Sequence, residues 1–352
     1  MDSKYAFGVI ETPGEKAKSP LPAPAYTIPY RDISAVVMDS AMVDLASMPR
    51  EASARYLLRH QQVLEKVMAS HPVIPMKLGT YVSSHAEAVD VLLSGYRDFK
   101  DTLSEIGDKA EFDVAAAWAD LDSLIRQTAE ESEDVREFKR NLASKKGGIT
   151  TEDRMKAGYM VREAMKESGR KTAAVITSAL AGIALAQRPH ALMDDGMVLN
   201  AAFLVENGKR KRFDEALNGL DGAYRGRINF RCVGPLPAYS FYTAEIKKVG
   251  AGELDKAKKL LGFWDFPAYR HEIEKAYRRR ARMCHPDAAG PAGRKGQVCP
   301  HTEIPEIEGD GESGGINGFT GINGAYKLLM ECSGPGTRRR EDGSVLIVRI
   351  RK

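Results

Sequence analysis

The reactive side chains of this sequence gather near its C-terminal end, where Cys284, His285, Asp287, Cys299 and His301 stand within one stretch and Cys332 follows. Thiols and imidazoles are zinc ligands, and a histidine beside a carboxylate is a general-base pair. The spacing fits no standard zinc pattern, and adjacent Cys284 and His285 point in different directions from a helix end. Cys284 also continues the apolar stripe of the preceding helix, where a small buried thiol is the expected occupant. A hydrolase built on His285 and Asp287 needs a nucleophile and an oxyanion donor, and the sequence marks neither. Recognition is the third reading. Pro286 stops the basic helix "RHEIEKAYRRRARMC", so His285 and Asp287 are expected to stand exposed on a turn.

Nothing before Gly250 has the form of a Gly-rich phosphate loop, an HExxH helix or a nucleophile elbow, so no enzyme and no cofactor are expected there. The basic run Lys209-Arg210-Lys211-Arg212 reads as a solvated helix start. With 352 residues, 43% hydrophobic and 28% charged, the chain exceeds one core and has globular composition. A net charge of +4 lacks the concentrated basicity of a nucleic-acid binder. Four cysteines and no basic-then-apolar leader make a cytoplasmic protein the expectation. The most apolar segment, 172–187, is shorter than a membrane span and rich in Ala, Gly and Ser. It predicts a closely packed buried helix, with no membrane contact.

The elements that must position these residues follow from periodicity. "YAFGVI" and "ISAVVMDS" predict strands, separated by the irregular "ETPGEKAKSPLPAP". Leu57, Leu64 and Met68, widened by Leu58 and Val67, predict an amphipathic helix over 50–70. "PVIPMKLGTYVSS" is strand-like and leads into a helix whose Ser84 and Glu87 have capping-box spacing, with Val89, Leu92, Tyr96, Phe99 and Leu103 on its buried face. "EFDVAAAW" returns as a strand. Residues 119–187 read as mostly helical, broken at 145–148, and join two halves. "MVLNAAFLVEN", "KRKRFDEALNGLDG" and "RINFRCVGPLPAYSFYTAEI" then give strand, helix, and a strand with a Pro-rich turn.

After Gly250-Ala251-Gly252 three helices surround the His-Pro-Asp tripeptide, with Leu254, Ala257, Leu260 and Leu261 on the first, Ile273, Ala276, Tyr277, Ala281 and Cys284 on the second, and Phe319, Ile322, Tyr326 and Leu329 on the third. The Leu-Leu-Gly ending of the first helix, the basic "KAYRRRA", the tripeptide itself and "FTGINGAYKLL" together resemble the J-domain of the DnaJ family. The resemblance covers roughly 253–332. It implies that Lys275, Arg278, Arg279 and Arg282 offer positive charge to an acidic Hsp70 surface and that His285, Pro286 and Asp287 complete the contact. The loop 288–318 is longer than J-domains usually carry and is acidic in "TEIPEIEGDGE".

The first 250 residues resemble the GvpL/GvpF family of gas vesicle proteins. The features that carry this are "YAFGVI", the turn with Pro75, Gly79 and Thr80, "FLVEN", and the run with Gly234, Pro235, Pro237, Tyr239, Ser240 and Phe241. Lys77-Leu78 and Leu236 depart from the Arg-Phe and Trp common in the family. The resemblance implies a non-enzymatic accessory protein of gas vesicle assembly, associated with vesicles and binding the hydrophobic shell subunit GvpA, with the motif prolines and glycines shaping turns. The expected fold is α+β: two small α+β units of ferredoxin-like type (1–118 and 191–250) joined by a helical region (119–190), then an all-α J-like module (253–332) and a basic tail (333–352) that can add an edge strand. A minor structural component of the vesicle, using the J-like module only as a contact, is the alternative.

Overall fold

The computed structural model describes residues 3–12, 21–145, 148–267, 269–284 and 316–352. Apolar "KYAFGVIE" forms β1 (Lys4–Glu11), which pairs antiparallel with β3 (Ile33–Asp39), β4 (Val73–Pro75) and β5 (Tyr81–Val82). β2 (Tyr26–Tyr30) completes the order β2-β3-β1-β4. The sequence reading missed β2 because Pro29 cannot donate to a ladder; as an edge strand paired only with β3 it does not have to. An irregularity in β1 between Ala6 and Gly8 resets its alternation. Tyr5, Phe7 and Ile10 therefore face α1 (Arg50–Met68), whereas Ala6 and Val9 face the central core.

The buried residues of α1 are His60, Val63, Leu64 and Val67, all in its second half. Leu57 and Leu58, expected on the buried stripe, are exposed, because the first half of the helix does not lie on the sheet. The stripe 89–103 runs over two helices, α2 (His85–Ser94) and α3 (Tyr96–Ile106), that meet at Gly95. Ser84 caps α2 by accepting the Glu87 N–H at 3.1 Å, and the Glu87 carboxylate accepts the Ser83 N–H.

β6 (Lys109–Trp118), β7 (Ala186–Pro189), β8 (Met197–Glu206) and β9 (Ile228–Leu236) form a second antiparallel sheet in the order β7-β8-β6-β9. β6 was expected to close the first unit at residue 118, but its hydrogen-bonding partners are β8 and β9. The helices α4 (Leu121–Glu131), α5 (Glu133–Ala143) and α6 (Thr151–Ala181) thus connect β6 to β7 within one sheet rather than joining two halves. α7 (Arg210–Tyr224) connects β8 to β9, and its Phe213 packs with Phe112, Phe203, Ile176 and Leu180. The segment 172–187 is not buried all round: Ile176 and Leu180 are, Val175 is exposed, and Ala186 and Gln187 belong to exposed β7. No helix among the described residues is long and apolar enough to cross a membrane.

The tail is the largest departure from expectation. β12 (Val345–Arg351) is the middle strand of a third sheet, β10-β12-β11, between β10 (Thr243–Val249) and β11 (Thr337–Arg339). It pairs with β10 over seven residues. Val345 and Ile347 seal a core made by α8 (Ala251–Leu261), α9 (Arg270–Cys284) and α10 (Ile316–Cys332), with Leu254, Leu261, Ile273, Ile322 and Leu329 inside it. Leu346 and Val348 enter the central core with residues of the first two sheets. Buried Glu87 on α2 ties the same region down, 2.7 Å from Lys248 on β10 and 2.7 Å from Arg340. Burial opposes its ionisation, but Lys248 and the Ser83 N–H outweigh it and hold its pKa down to about 2.

Candidate functional site

Three of the four motif segments of the first 250 residues, the opening strand, the turn at 75–80 and the run at 234–241, meet around Tyr5 and His60. Buried Pro75 ends β4, and the chain turns over Lys77–Thr80, where the Thr80 N–H and hydroxyl donate to the Lys77 carbonyl at 3.1 and 2.6 Å. Gly79 takes φ +83° at the third position of this turn, the left-handed conformation that glycine adopts without strain. Its N–H donates to the Tyr5 hydroxyl at 3.2 Å. That hydroxyl lies 2.9 Å from His60 Nδ1, and the Tyr239 ring is centred 6.3 Å from the imidazole. Burial lowers the His60 pKa to about 4, so the ring is neutral, and its Nδ1 and the Tyr5 hydroxyl share one hydrogen bond. Sequence reasoning missed His60: a lone histidine on an amphipathic helix carries no local signal of what it will touch.

The second motif forms the end of β9 and the turn into β10. A Cβ on Gly234 would stand 2.6 Å from Phe112 Cδ1 and 2.8 Å from the Glu111 carbonyl, so only glycine lets these backbones approach. Pro235 follows within β9, Pro237 is buried and accepts the Tyr239 N–H at 2.7 Å, and Phe241 enters the central core. Gly234→Ala is expected to lower stability by about 2–3 kcal/mol, read as a fall in urea midpoint at constant slope. An unchanged midpoint would mean that Phe112 moves aside freely.

Ser240 holds Glu111 with both donors: its N–H reaches Oε2 and its hydroxyl Oε1, each at 2.7 Å. Burial pushes the Glu111 carboxyl up to about 8 against those bonds, and neighbouring Asp113 adds to the rise. His190 Nε2 lies 3.4 Å from Ser240 Oγ and 4.0 Å from Asp113 Oδ1. A Ser-His-Asp relay needs the hydroxyl and the carboxylate on different ring nitrogens, and here both face the same one. The Ser240 hydroxyl is moreover committed to Glu111. The cluster locks the turn between β9 and β10 onto β6.

On α9 the side chains divide by periodicity. Ile273 and Ala276 are buried, Tyr277 stacks on Tyr326 with centroids 4.3 Å apart and donates to Asn323 at 3.3 Å, and Lys275, Arg278, Arg279 and Arg282 are all exposed. Arg278 has Glu274 at 3.8 Å one turn back. His285, Pro286 and Asp287 lie outside the described residues, as do Cys299, His301 and the side chain of Cys284. Cys332 is a buried free thiol whose pKa burial pushes up to about 11, which keeps it protonated at neutral pH. Among the described residues no group of three or more His, Cys, Asp or Glu is placed to hold a metal. In the run at 209–212, Lys209, Arg210 and Lys211 pair with Glu206, Asp214 and Glu215 around the start of α7.

The sequence model of the family described as "Gas vesicle synthesis protein GvpL/GvpF" matches residues 3–243, the span that holds all four motif segments. The chain belongs to the GvpL/GvpF family. Gas vesicle protein F2 of Halobacterium salinarum is 24% identical over 225 residues, covering 63% of this chain and 82% of that protein. Gas vesicle protein F of a Streptomyces species is 28% identical over 203 residues, covering 57% and 83%. The crystal structures of gas vesicle protein GvpF from Anabaena sp. PCC7120 and from Microcystis aeruginosa superpose with TM-scores of 0.58 and 0.54, at 17% identity, over 68% of this chain and 98% of each. These two share its mixed α+β fold. Membership assigns this GvpL/GvpF protein a role in gas vesicle formation. The family match ends at Thr243, the first residue of β10, so α8, α9, α10 and β12 lie beyond it.

Proposed function

We propose that this GvpL/GvpF protein is a non-enzymatic accessory factor of gas vesicle assembly, one that holds or delivers the hydrophobic shell subunit GvpA and uses its C-terminal helices to recruit an Hsp70. A shell subunit with large apolar surfaces aggregates before assembly unless another protein covers it. The body acts as the holder, and its two sheets are ferredoxin-like units, a reading supported by their strand orders β2-β3-β1-β4 and β7-β8-β6-β9. The observation that carries the Hsp70 part is the exposed basic face of α9, Lys275, Arg278, Arg279 and Arg282, which directly precedes the tripeptide His285-Pro286-Asp287 in sequence. Such a face suits an acidic partner through complementary charge. Because β12 links these helices to the body through β10, the two functions sit on one rigid frame, and a shell subunit held by the body stays near the recruited chaperone.

The test is single-turnover ATP hydrolysis by the host Hsp70. The intact protein is expected to raise the rate about tenfold or more, and His285→Gln and Asp287→Asn are each expected to abolish that rise while leaving the urea midpoint unchanged. No stimulation by the intact protein would remove the recruiting role and leave the C-terminal helices as a contact surface of a vesicle component.

A further inference from the structure

The second sheet, β7-β8-β6-β9, ends on a strand whose outer side is open. The Ala119 N–H donates to the Arg227 carbonyl at 3.0 Å, whereas the Trp118 N–H donates at 2.9 Å to the Gly196 carbonyl on the β8 side. Ala117, Ala115 and Asp113 are in register with Asn229, Arg231 and Val233, so the alternation of an antiparallel ladder turns the N–H and C=O of those three β9 residues toward β6. The N–H and C=O of Ile228, Phe230 and Cys232 point the other way, and among the described residues no strand meets them. Asn229, Arg231 and Cys232 are exposed, so this edge is open to solvent.

Long edges are normally blunted, and the other edges here are. β2 carries Pro29 and β7 Pro189, β4 and β11 are short, and just beyond β4 Met76 bridges to Ala244 on β10. β9 has no proline before Pro235, and its pairing runs without interruption from Ile228 to Val233. An open row of backbone groups is satisfied by another extended backbone, which selects a protein strand over a small molecule. The side chains select which strand. A second β9 laid antiparallel about a two-fold axis at Phe230 pairs Ile228 with Cys232 and Phe230 with its own copy, and every outward N–H and C=O finds a partner. The same register sets Arg231 opposite Asn229 of the second copy, a guanidinium against an amide carbonyl, on both sides of the axis. An axis at Arg231 would oppose two guanidiniums. Phe230, partly buried with its ring 6.0 Å from Tyr224, is covered across the axis by its counterpart. α7 leaves room for this approach, because its Phe213 packs on Phe112 of β6 and Phe203 of β8, inboard of the edge.

We infer that β9 is a dimerisation edge: two copies of this chain join β9 to β9 about a two-fold axis at Phe230 and fuse their four-stranded sheets into one continuous sheet. Each favourable contact is made twice, as in any isologous interface. The pairing does not involve α9, so it stands whether or not the C-terminal helices recruit a chaperone. Under the function proposed above, the dimer presents two shell-subunit sites on one frame, and a growing shell is held more tightly by two sites than by one.

Sedimentation equilibrium of the full chain from about 1 to 300 µM, with a reductant to keep Cys232 a thiol, reads the pairing. The wild-type protein is expected to dimerise with a dissociation constant of about 10–50 µM, as befits a small interface. Asn229→Glu places a carboxylate opposite Arg231 on both sides of the axis and is expected to tighten the dimer about three- to tenfold. Asn229→Arg opposes guanidiniums at the same two places and is expected to weaken it by as much. Both change one exposed side chain and leave the ladder to β6 intact. Cys232→Pro removes an outward N–H and is expected to weaken the dimer at least tenfold, as proline is tolerated on an edge strand where its nitrogen faces solvent. The two Asn229 variants decide the matter alone where Cys232→Pro fails to fold. A chain that stays monomeric to 300 µM overturns the proposal and leaves the edge to a strand of another protein. A dimer that responds alike to Asn229→Glu and Asn229→Arg overturns it as well, because the contact then lies on another face.

Discussion

Removing residues 345–352 is expected to release the C-terminal helices and loosen the central core in one step. Val345, Leu346, Ile347 and Val348 are each about 1% exposed, and they face two cores: Val345 and Ile347 the three helices, Leu346 and Val348 the body. Burial of such side chains contributes about 1.5–3 kcal/mol each. Together they approach the roughly 5–15 kcal/mol that holds a domain folded. The truncated chain also leaves the inner edge of β10 unpaired over seven residues, an edge that invites aggregation. Hydrogen exchange reads the effect: amides of α8 and α10 are expected to lose protection by at least a hundredfold. Single substitutions separate the two faces. Ile347→Ala, costing about 2–4 kcal/mol, is expected to raise exchange in α8 and α10, whereas Val348→Ala is expected to raise it in α2 and α3. Undiminished protection of α10 in the truncated chain would show that the helices stand without β12.

The second large effect is a fall in stability as pH rises. Glu111 is 1% exposed and its carboxyl is pushed up to about 8, chiefly by burial. An unfolded glutamate titrates near 4.5, so between these values the folded protein binds a proton that the unfolded chain has lost. Stability is then greatest below about 4.5 as far as this group is concerned and is lost as pH climbs through about 8, by roughly 5 kcal/mol at most. Urea midpoints measured from pH 5 to pH 9 are expected to decline. Glu111→Gln keeps an acceptor for the Ser240 N–H and has no proton to lose, so its midpoint is expected to stay nearly level and to exceed the wild type at pH 9. Asp113, also raised by burial and opposed by His190, leaves a smaller residual slope. A slope as steep in Glu111→Gln as in the wild type would place the titration elsewhere.

Most elements were legible because their side chains repeat with the period of their backbone. β1, β6 and β8 announce themselves in "YAFGVI", "EFDVAAAW" and "FLVEN", and α8 and α10 in their leucine and isoleucine stripes. Periodicity identifies a strand but not its neighbour. β6 was therefore assigned to the sheet before it in sequence, although its partners begin some eighty residues later. Likewise Leu57 and Leu58 have helical spacing, but only packing decides where a helix leaves its sheet, and α1 leaves before it reaches them. At the candidate sites the turn motifs were readable through their prolines and glycines, and the basic face of α9 through its arginines. His60 and Glu111 were not, since each acquires its role from residues distant in the chain.

The sequence by itself determined the family, the turn residues Gly79 and Gly234, the mixture of strands and helices, and the division of α9 into apolar and basic faces. All of these follow from local backbone requirements and side-chain period. The tertiary structure alone decided that the tail is a central strand, that the C-terminal helices share a sheet with the body, and that burial raises the pKa of the Glu111 carboxyl. Strand partners and burial depend on contacts closed across long loops, and no local pattern of residues encodes which of the possible closures has the lowest free energy.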